Sequence, residues 1–355
     1  MDPLEMKMLG NAFPAKGSQW EDDMTELTRR SLLAGTAAAG AVLAGTDSIV
    51  SPAKAAAPIS GKQNPGWYRY KVGEFEITVV TDGALSAPLG DRYVQNVPKA
   101  DVSAGLAALH YAPDKTTNVF NPIVVNTGSK LVAIDTGAGL GAFTQTKGTL
   151  GQFHTNLAAA GIDKSSVDVV LLSHLHGDHI NGLLDAENKL AFPKAEVLMP
   201  AADIKFWTDD ANVSRFQEPV KGQFANVKRV LAALGGKVTQ YEGSKELVPG
   251  ITSMPTPGHT PGHTSFMISS GPDRLLHQVD VTAGMGTLFA RNPKWHFVFD
   301  VDGPLAVQTR HKFYDMVIAD KQRIQGYHFP FPAVGYIEKD GAGYRWVPDV
   351  WNPSI

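Results

Sequence analysis

Residues 171–180 read LLSHLHGDHI and place three histidines and one aspartate within six positions. The whole chain of 355 residues contains only 11 histidines, and an apolar, β-branched run at 167–172 leads directly into this cluster. A buried strand ends at the edge of its sheet, where side chains of the following loop can converge, and Gly177 lets the backbone turn tightly there. Imidazoles and carboxylates are ligands for zinc and similar divalent ions. The stretch therefore predicts a metal site at a strand end, with enough ligands for more than one ion.

The overall composition is that of a globular protein, with 43% apolar and 19% charged residues. Its length allows one large domain or two small ones, each with a substantial core. A net charge of -3 gives no support to a nucleic-acid-binding surface. The chain contains no cysteine, which excludes disulfides, a thiolate nucleophile and cysteine metal ligands. Any metal must therefore be held by histidine and carboxylate groups.

The first 55 residues resemble a twin-arginine signal peptide and leader. Residues 28–33 read TRRSLL, an Ala- and Gly-rich apolar run follows, and residues 53–55 read AKA, a small-x-small cleavage site. Three acidic residues at 21–23 are unlike a signal's basic start, so Met24 is an alternative first residue. The apolar run is too short for a stable membrane span, although a flexible leader or weak anchor is an alternative interpretation. We expect the protein to be periplasmic or secreted after twin-arginine export. The folded domain is expected at 56–355.

Strand-like runs closed by turns alternate with helical stretches along this domain. The strands are predicted at 75–80, 122–126, 130–134, 167–172, 195–199, 237–241, 251–254, 264–268 and 275–278. Helices are predicted at about 143–160, 200–208, 214–234 and 304–321. This pattern favours an α/β (α+β) fold with two packed sheets and helices outside.

Further metal-ligand candidates lie downstream of the histidine cluster. A Gly- and Pro-rich turn at 256–263 presents His259 and His263, Asp280 ends an apolar strand, and His328 follows a helix and turn. Together with the first cluster these positions can supply five imidazoles and two carboxylates, enough for two metal ions that share a bridging carboxylate and a bridging hydroxide.

With these residues in place, the chain after about residue 65 resembles the metallo-β-lactamase superfamily. The signature His-x-His-x-Asp-His is present at 174–179, and the family's Gly-His-Thr, strand-end Asp and C-terminal His match His259, Asp280 and His328. The likeness is closest to the methyl parathion hydrolase group, through GEFEIT at 73–78, VNTGSKLV at 125–132, LAFP at 190–193, LVPGI at 247–251 and GYRWVP at 343–348. The resemblance implies a four-layer αβ/βα sandwich with the metals at one edge.

The resemblance also implies a division of the ligands between two divalent ions, with zinc as the first choice and manganese, cobalt or iron as alternatives. The ligands of one ion would be His174, His176 and His259; those of the other would be Asp178, His179 and His328; Asp280 would bridge the two ions. His263 would orient the turn without binding metal, although its part in the site stays open. Asp135 would be structural support.

The metals imply a hydrolase that uses a metal-bridging hydroxide and needs no protein nucleophile. We expect an exported binuclear enzyme for small neutral esters, either aryl esters, lactones or organophosphate triesters, with a small-molecule substrate as its partner and a homodimer as in the group it resembles. Asp178 would also pass a proton to the leaving group. Four aromatic residues are candidates for an apolar substrate pocket: Phe206, Trp207, Phe289 and Trp295.

Departures from the family pattern concern the substrate. Val279 precedes Asp280 where the family usually has Gly, Tyr336 stands where relatives tend to carry His, and the loops at 137–143 and 287–299 differ from the pocket loops of the group. Three alternatives remain: an iron-dependent dioxygenase or oxidoreductase on the same fold, a β-lactamase, and a noncatalytic metal-binding member. The β-lactamase alternative is disfavoured because those enzymes lack a bridging aspartate at the position of Asp280.

Overall fold

Two seven-stranded β-sheets lie face to face in the computed structural model, which describes residues 60–61 and 63–355. The proposed leader at 1–55 lies outside the described residues. Strands are numbered in chain order. In spatial order, the first sheet consists of β1 (Trp67–Val72), β2 (Phe75–Val80), β5 (Ile123–Asn126), β6 (Leu131–Ile134), β7 (Val169–Leu171), β8 (Glu196–Pro200) and β9 (Thr239–Tyr241). The second consists of β10 (Glu246–Val248), β11 (Ile251–Pro255), β12 (Thr264–Ser270), β13 (Asp273–Val279), β14 (Ile324–Gly326), β15 (Val334–Asp340) and β16 (Gly343–Pro348). A separate pair is formed by β3 (Gly83–Pro88) and β4 (Lys115–Phe120).

Helices cover the outer faces of both sheets. They are α1 (Lys99–Ala108), α2 (Gly139–Gln145), α3 (Phe153–Ala159), α4 (Gly177–Ile180), α5 (Ala201–Thr208), α6 (Asp210–Val213), α7 (Val220–Leu234), α8 (Gly286–Arg291) and α9 (Gly303–Ala319). Residues of α3, α5 and α7 pack on the first sheet, and those of α9 pack on the second. None of the helices in the described part of the chain combines the length and apolarity needed to cross a bilayer.

The strand alternation explains the layers. In β2, Ile77 and Val79 belong to the core between the sheets, while Val80 packs with the helices outside. In β13, Leu275 faces the first sheet and Leu276 faces the outer layer. Strands buried on both faces read as continuous apolar runs, and each fully buried Ile, Leu or Val contributes about 1.5–3 kcal/mol to folding. This arrangement is the four-layer αβ/βα sandwich that the sequence predicts.

Parallel pairing determines where the loops with the candidate ligands lie. Strands β6, β7, β8 and β9 run parallel in the first sheet, and β13 and β14 run parallel in the second. The segment with the His174–His179 cluster follows β7, while Asp280 follows β13 and His328 comes shortly after β14. Since carboxyl ends of parallel strands meet at the same edge of a sheet, the candidate ligands are brought to common edges.

The predicted helix at 143–160 is wrong as a single element. The chain instead forms α2 and α3, separated by a turn in which Gly148 and Gly151 have φ of 85° and 80°. Such positive φ angles suit glycine and interrupt a helix. The turn places Leu150 in the wall of a cavity described below.

Candidate metal centre

The structure brings all seven predicted ligands together in two groups. One potential ligand atom from each member of a group lies within 4.8 Å of those of the other members. The groups are His174, His176 and His259, and Asp178, His179, Asp280 and His328. The resemblance implies the same residues but shares Asp280 between both ions, and metal binding by either group stays a prediction. Six of the seven residues are buried, while the side chain of Asp178 is 28% exposed and reaches the cavity beside the site.

The carboxylate of Asp280 lies between the two groups. Its Oδ2 is 3.4 Å from Nε2 of His259 and 3.0 Å from Nε2 of His328, while its Oδ1 is 3.5 Å from Nε2 of His179. Asp280 therefore contacts one histidine of the first group and two of the second. A carboxylate in this position is suited to bridging two cations.

A strained backbone carries Asp280 into this position. Val279, buried and β-branched, has a φ of 52°, a left-handed conformation that costs a branched side chain energy. Glycine adopts this conformation easily, which gives a physical reason for the family's usual Gly there. The surrounding structure holds the strained residue, since the Asp280 N–H donates to Nε2 of His263 at 3.0 Å. His263 also contacts Thr256 through Nδ1, so both of its ring nitrogens are engaged and the structure places it behind the ligands.

Most of the ligand imidazoles are oriented by a hydrogen bond at the ring nitrogen that faces away from their group. The contacts are His174 Nδ1 with Ser173 Oγ at 3.0 Å, His179 Nδ1 with Asp135 Oδ2 at 2.9 Å, His259 Nδ1 with Asp300 Oδ1 at 2.8 Å, and His328 Nδ1 with the Val119 carbonyl at 2.8 Å. Such contacts fix the tautomer and the direction of the free nitrogen, as they do in known metal sites. Asp135 also accepts from the Ser173 N–H and hydroxyl, in keeping with the structural role predicted for it.

The charge balance differs between the two groups. Burial, reinforced by the neighbouring imidazoles, holds the pKa of His174 and His176 well below the usual range, so both are neutral. At His179, burial lowers the pKa, but Asp178, Asp280 and Asp135 outweigh it and raise the pKa well above its usual value. Metal binding needs neutral imidazoles and displaces protons. The second group is thus rich in carboxylate charge and attracts cations.

The donor set fits divalent metal ions. It consists of imidazole nitrogens and carboxylate oxygens, which suit zinc and the neighbouring transition metals. Nε2 of His179 and Oδ1 of Asp280 are buried and have no hydrogen-bond partner among the described residues. Buried polar atoms without partners are costly, and a shared cation would satisfy both.

Sequence reasoning missed three residues that support the ligands. Buried Asp203 accepts the N–H groups of Leu175 at 2.9 Å and Gly262 at 2.6 Å, which ties the two ligand-bearing loops together. Asp300 orients His259, as described above. The hydroxyl of Tyr327 donates to the Asp178 carbonyl at 2.6 Å, and its ring stacks on His179 at 4.1 Å. Only the position of Tyr327 beside His328 hinted at its role in the sequence.

A cavity of about 190 Å³ opens beside both groups of ligands. It exposes His176, Asp178, His259, Asp280 and His328, and its other walls are Leu85, Asn118, Phe120, Leu150, Gln223, Gly284, Phe297 and Phe299. No lysine or arginine occurs among these lining residues, all of which lie in the described part of the chain.

The four aromatic residues predicted for the pocket are not in its lining, and that prediction is wrong. Trp207 is fully buried and packs against the His176 ring at a centroid distance of 5.4 Å, with Phe206 beside it. Phe289 and Trp295 belong to an apolar cluster with residues of α1 and α8, and this cluster also includes Phe297 and Phe299 of the cavity wall. Their sequence positions could not distinguish the layer behind the site from the cavity wall, which is formed by other rings.

Comparison with known proteins agrees with this geometry. The sequence profile of the Metallo-beta-lactamase superfamily matches residues 121–282. One similar solved structure is that of AidC, a dizinc quorum-quenching lactonase in complex with the product N-hexanoyl-L-homoserine. It matches this chain with a TM-score of 0.75 and 28% sequence identity, and the match covers 81% of this chain and 98% of AidC. The hydrolase AbOPH of the β-lactamase superfamily has a TM-score of 0.72 and 26% identity, over 82% of this chain and all of that one (100%).

A curated relative, the probable metallo-hydrolase Mb2322c of Mycobacterium bovis, is 26% identical over 209 residues. The match covers 52% of this chain and 65% of that relative, so the chain spans slightly less than two thirds of its length. The matched profile, the sandwich fold shared with AidC and AbOPH, and the two ligand groups together make this chain similar to hydrolases of the metallo-β-lactamase superfamily.

Proposed function

We propose that this protein is an exported, binuclear metal-dependent hydrolase of small neutral esters, with lactones as the first substrate class. The observation that carries the proposal is the Asp280 carboxylate, which contacts His259 of one ligand group and His179 and His328 of the other. The ligands of the first ion would be His174, His176 and His259, and those of the second would be Asp178, His179 and His328. Asp280 would be shared.

The chain's residues divide the chemical tasks between them. Bound divalent ions, with zinc as the first choice, supply a water of lowered pKa and Lewis acidity toward a carbonyl or phosphoryl oxygen. The buried histidines hold their ring nitrogens in fixed directions, so no reorganisation is needed when a substrate enters. Phe297, Phe299 and Phe120 form apolar walls that exclude water from the ester.

Asp178 has a second role in this proposal: its carboxylate would accept the proton released by the attacking water and pass it to the leaving group. Its carboxylate reaches the cavity, and its Oδ2 lies 3.4 Å from His179 Nε2 and 3.6 Å from His328 Nε2. We expect Asp178→Asn to retain both metals and to lose turnover. Metal content by atomic emission, measured on the same samples as the rates, separates this role from simple metal loss.

The cavity and the relatives support the choice of substrate class. A small, mostly apolar cavity without cationic side chains among its lining residues suits an uncharged molecule. AidC, which shares the fold over most of this chain, is a lactonase, and this likeness puts lactones ahead of aryl esters and phosphotriesters. A methyl parathion hydrolase-like activity is the finer possibility within the same hydrolase class.

A substrate panel tests the proposal. Purified protein loaded with zinc or manganese is assayed with N-hexanoyl-L-homoserine lactone, p-nitrophenyl acetate, methyl paraoxon and nitrocefin, with His176→Ala as the blank. We expect lactone turnover with the highest kcat/KM, lost in the blank. Two bound metals with no turnover of any of the four compounds would refute the hydrolase proposal and favour the redox alternative.

Export and assembly are separate parts of the proposal. Twin-arginine export rests on the TRRSLL stretch at 28–33 and the AKA site at 53–55. N-terminal sequencing of periplasmic protein would then give a start near residue 56, and replacement of both arginines by lysine would keep the protein in the cytoplasm. A homodimer stays a prediction that light scattering can test.

A further inference from the structure

Two residues with carboxamide side chains line the cavity beside the candidate metal centre, Asn118 on β4 and Gln223 on α7. Both residues are partly buried, and neither belongs to the ligand groups. Each contributes a polar group to a wall that is otherwise built from apolar side chains and metal ligands.

The orientation of the Gln223 carboxamide follows from its hydrogen bond with Gly177. The backbone N–H of Gly177 donates to Oε1 of Gln223 at 3.1 Å. Because a backbone N–H can only donate, the oxygen of the carboxamide must face Gly177. The NH₂ group then lies on the other side of the amide, and it has no hydrogen-bond partner among the described residues.

Asn118 is oriented by a relay through Tyr93. The backbone N–H of Met285 donates to the Tyr93 hydroxyl oxygen at 3.1 Å, and that hydroxyl donates its single proton to Oδ1 of Asn118 at 2.8 Å. Burial raises the pKa of Tyr93, so the hydroxyl keeps its proton. If the carboxamide were reversed, the Tyr93 hydroxyl oxygen would have to accept from both the Met285 N–H and the Asn118 NH₂ group. The proton of the hydroxyl would then have no acceptor among these groups. The Nδ2 group of Asn118 is therefore directed away from Tyr93, and it has no hydrogen-bond partner within the described part of the chain.

Both carboxamides are tied to the backbone that carries the metal ligands. Gly177 lies between His176 and Asp178 in the chain. The neighbour of Asn118, Val119, accepts from the His328 imidazole through its carbonyl at 2.8 Å. The two NH₂ groups thus come from two different walls, one beside each ligand-bearing segment, and their positions are tied to those of the candidate metal ligands.

We propose that Asn118 and Gln223 are substrate-positioning hydrogen-bond donors that select esters carrying a second carbonyl acceptor, as an N-acylated lactone does. The inference rests on the proposed hydrolase function and specifies its substrate. When the substrate fills the cavity and displaces water, an acceptor oxygen satisfies these donors. A substrate without that oxygen leaves a donor unpaired, which is the condition under which polar groups discriminate most strongly.

Paired substrates test the inference on the intact, zinc-loaded protein. One is N-hexanoyl-L-homoserine lactone, and the other is α-heptyl-γ-butyrolactone, which has the same ring and a saturated chain of the same length in place of the hexanoylamide. We expect wild type to prefer the amide by at least tenfold in kcat/KM, chiefly through KM. In Gln223→Met and Asn118→Leu this preference falls toward 1, while exposed Gln240→Met on β9 keeps it.

A second pair of variants separates the donor role from a structural one. Gln223→Glu keeps an oxygen for the Gly177 N–H, and Asn118→Asp keeps one for the Tyr93 hydroxyl, but both lose the NH₂ group. We expect these variants to bind two zinc ions, to melt within a few degrees of wild type, and to lose the amide preference. Calorimetry with the product N-hexanoyl-L-homoserine gives a readout independent of turnover, with at least tenfold weaker binding expected.

The outcomes distinguish the two proposals. A wild type that hydrolyses no ester contradicts the proposed function itself. A wild type that hydrolyses both lactones equally well overturns the positioning role alone. An amide preference that persists in all four variants, with zinc content intact, also overturns it.

Discussion

Replacing Asp300 by asparagine should weaken one of the two metal sites and leave the other intact. Oδ1 of Asp300 lies 2.8 Å from Nδ1 of His259, and Oδ2 accepts the Phe297 N–H at 2.9 Å. Both carboxylate oxygens are therefore used. An asparagine has only one oxygen, so either His259 or the Phe297 N–H must face an NH₂ group.

The structure gives the size of this effect. His259 is almost fully buried, and the Asp300 side chain is 1% exposed, so water cannot replace the lost acceptor. Loss of such an outer contact to a metal-binding histidine typically reduces metal affinity by about 10–100-fold, which is about 1.4–2.7 kcal/mol. Buried Arg310 adds a smaller effect, since its Nη2 is 3.9 Å from Asp300 while its guanidinium also donates to three backbone carbonyls.

Zinc titration against a chromophoric chelator measures both sites in one experiment. We expect Asp300→Asn to show one zinc affinity reduced by about 10–100-fold and one unchanged. Asp82→Asn is the matched control, because Asp82 is also buried but accepts from backbone N–H groups, including those of Ala138 and Phe153. It should lower stability without changing either zinc affinity. Two wild-type affinities in folded Asp300→Asn would refute the reasoning.

Three further perturbations have defined outcomes. In Gly182→Ala the new Cβ would lie 1.8 Å from the Thr136 carbonyl oxygen, so we expect the free energy of unfolding in urea to fall by several kcal/mol. The control is Gly141→Ala in α2, where a Cβ would meet nothing within 4 Å, and this variant should be neutral or stabilising by up to about 1 kcal/mol. Equal stabilities of the two variants would contradict the described backbone. His263→Ala removes the acceptor for the Asp280 N–H, so we expect the free energy of unfolding to fall by about 1–3 kcal/mol while two zinc ions still bind. A stoichiometry of one zinc ion per chain would instead make His263 a ligand. Zinc at 100 times its dissociation constant should stabilise the apoprotein by about 2.7 kcal/mol per independent site in unfolding experiments, and an unchanged midpoint would argue against metal binding by the native state.

The ligand groups could be predicted because most of their information is local. His174, His176, Asp178 and His179 are close in sequence and directly follow a recognisable strand, and Asp280 ends another. His259 and His328 were candidates from their turn positions, and the resemblance to a known family then selected His259 over His263 and divided the ligands into groups. The two-sheet architecture was predictable for the same reason, since strand-length apolar runs such as 75–80 and 130–134 are visible without any tertiary information.

The supporting residues and the cavity wall could not be predicted, because their partners are distant in sequence. Asp203 acts on Gly262, 59 residues away, and Tyr327 contacts Asp178 over 149 residues. No local pattern marks such pairs. The same limitation misdirected the pocket prediction: an aromatic residue near a ligand can lie behind it, as Trp207 does behind His176, or in front of it, as Phe299 does. Only the path of the loops decides which.

Each ligand group draws residues from both sheets of the sandwich, and this has a consequence for how the chain matures. His174, His176, Asp178 and His179 follow a strand of the first sheet, whereas His259, Asp280 and His328 belong to segments of the second. During synthesis the N-terminal half can offer at most part of each set of ligands. The first set is completed only when His259 has emerged, and the second only after His328. Tight metal capture would thus come late and would add a further link between two halves that already pack through their apolar faces and share hydrogen bonds such as that of Asp203 with Gly262.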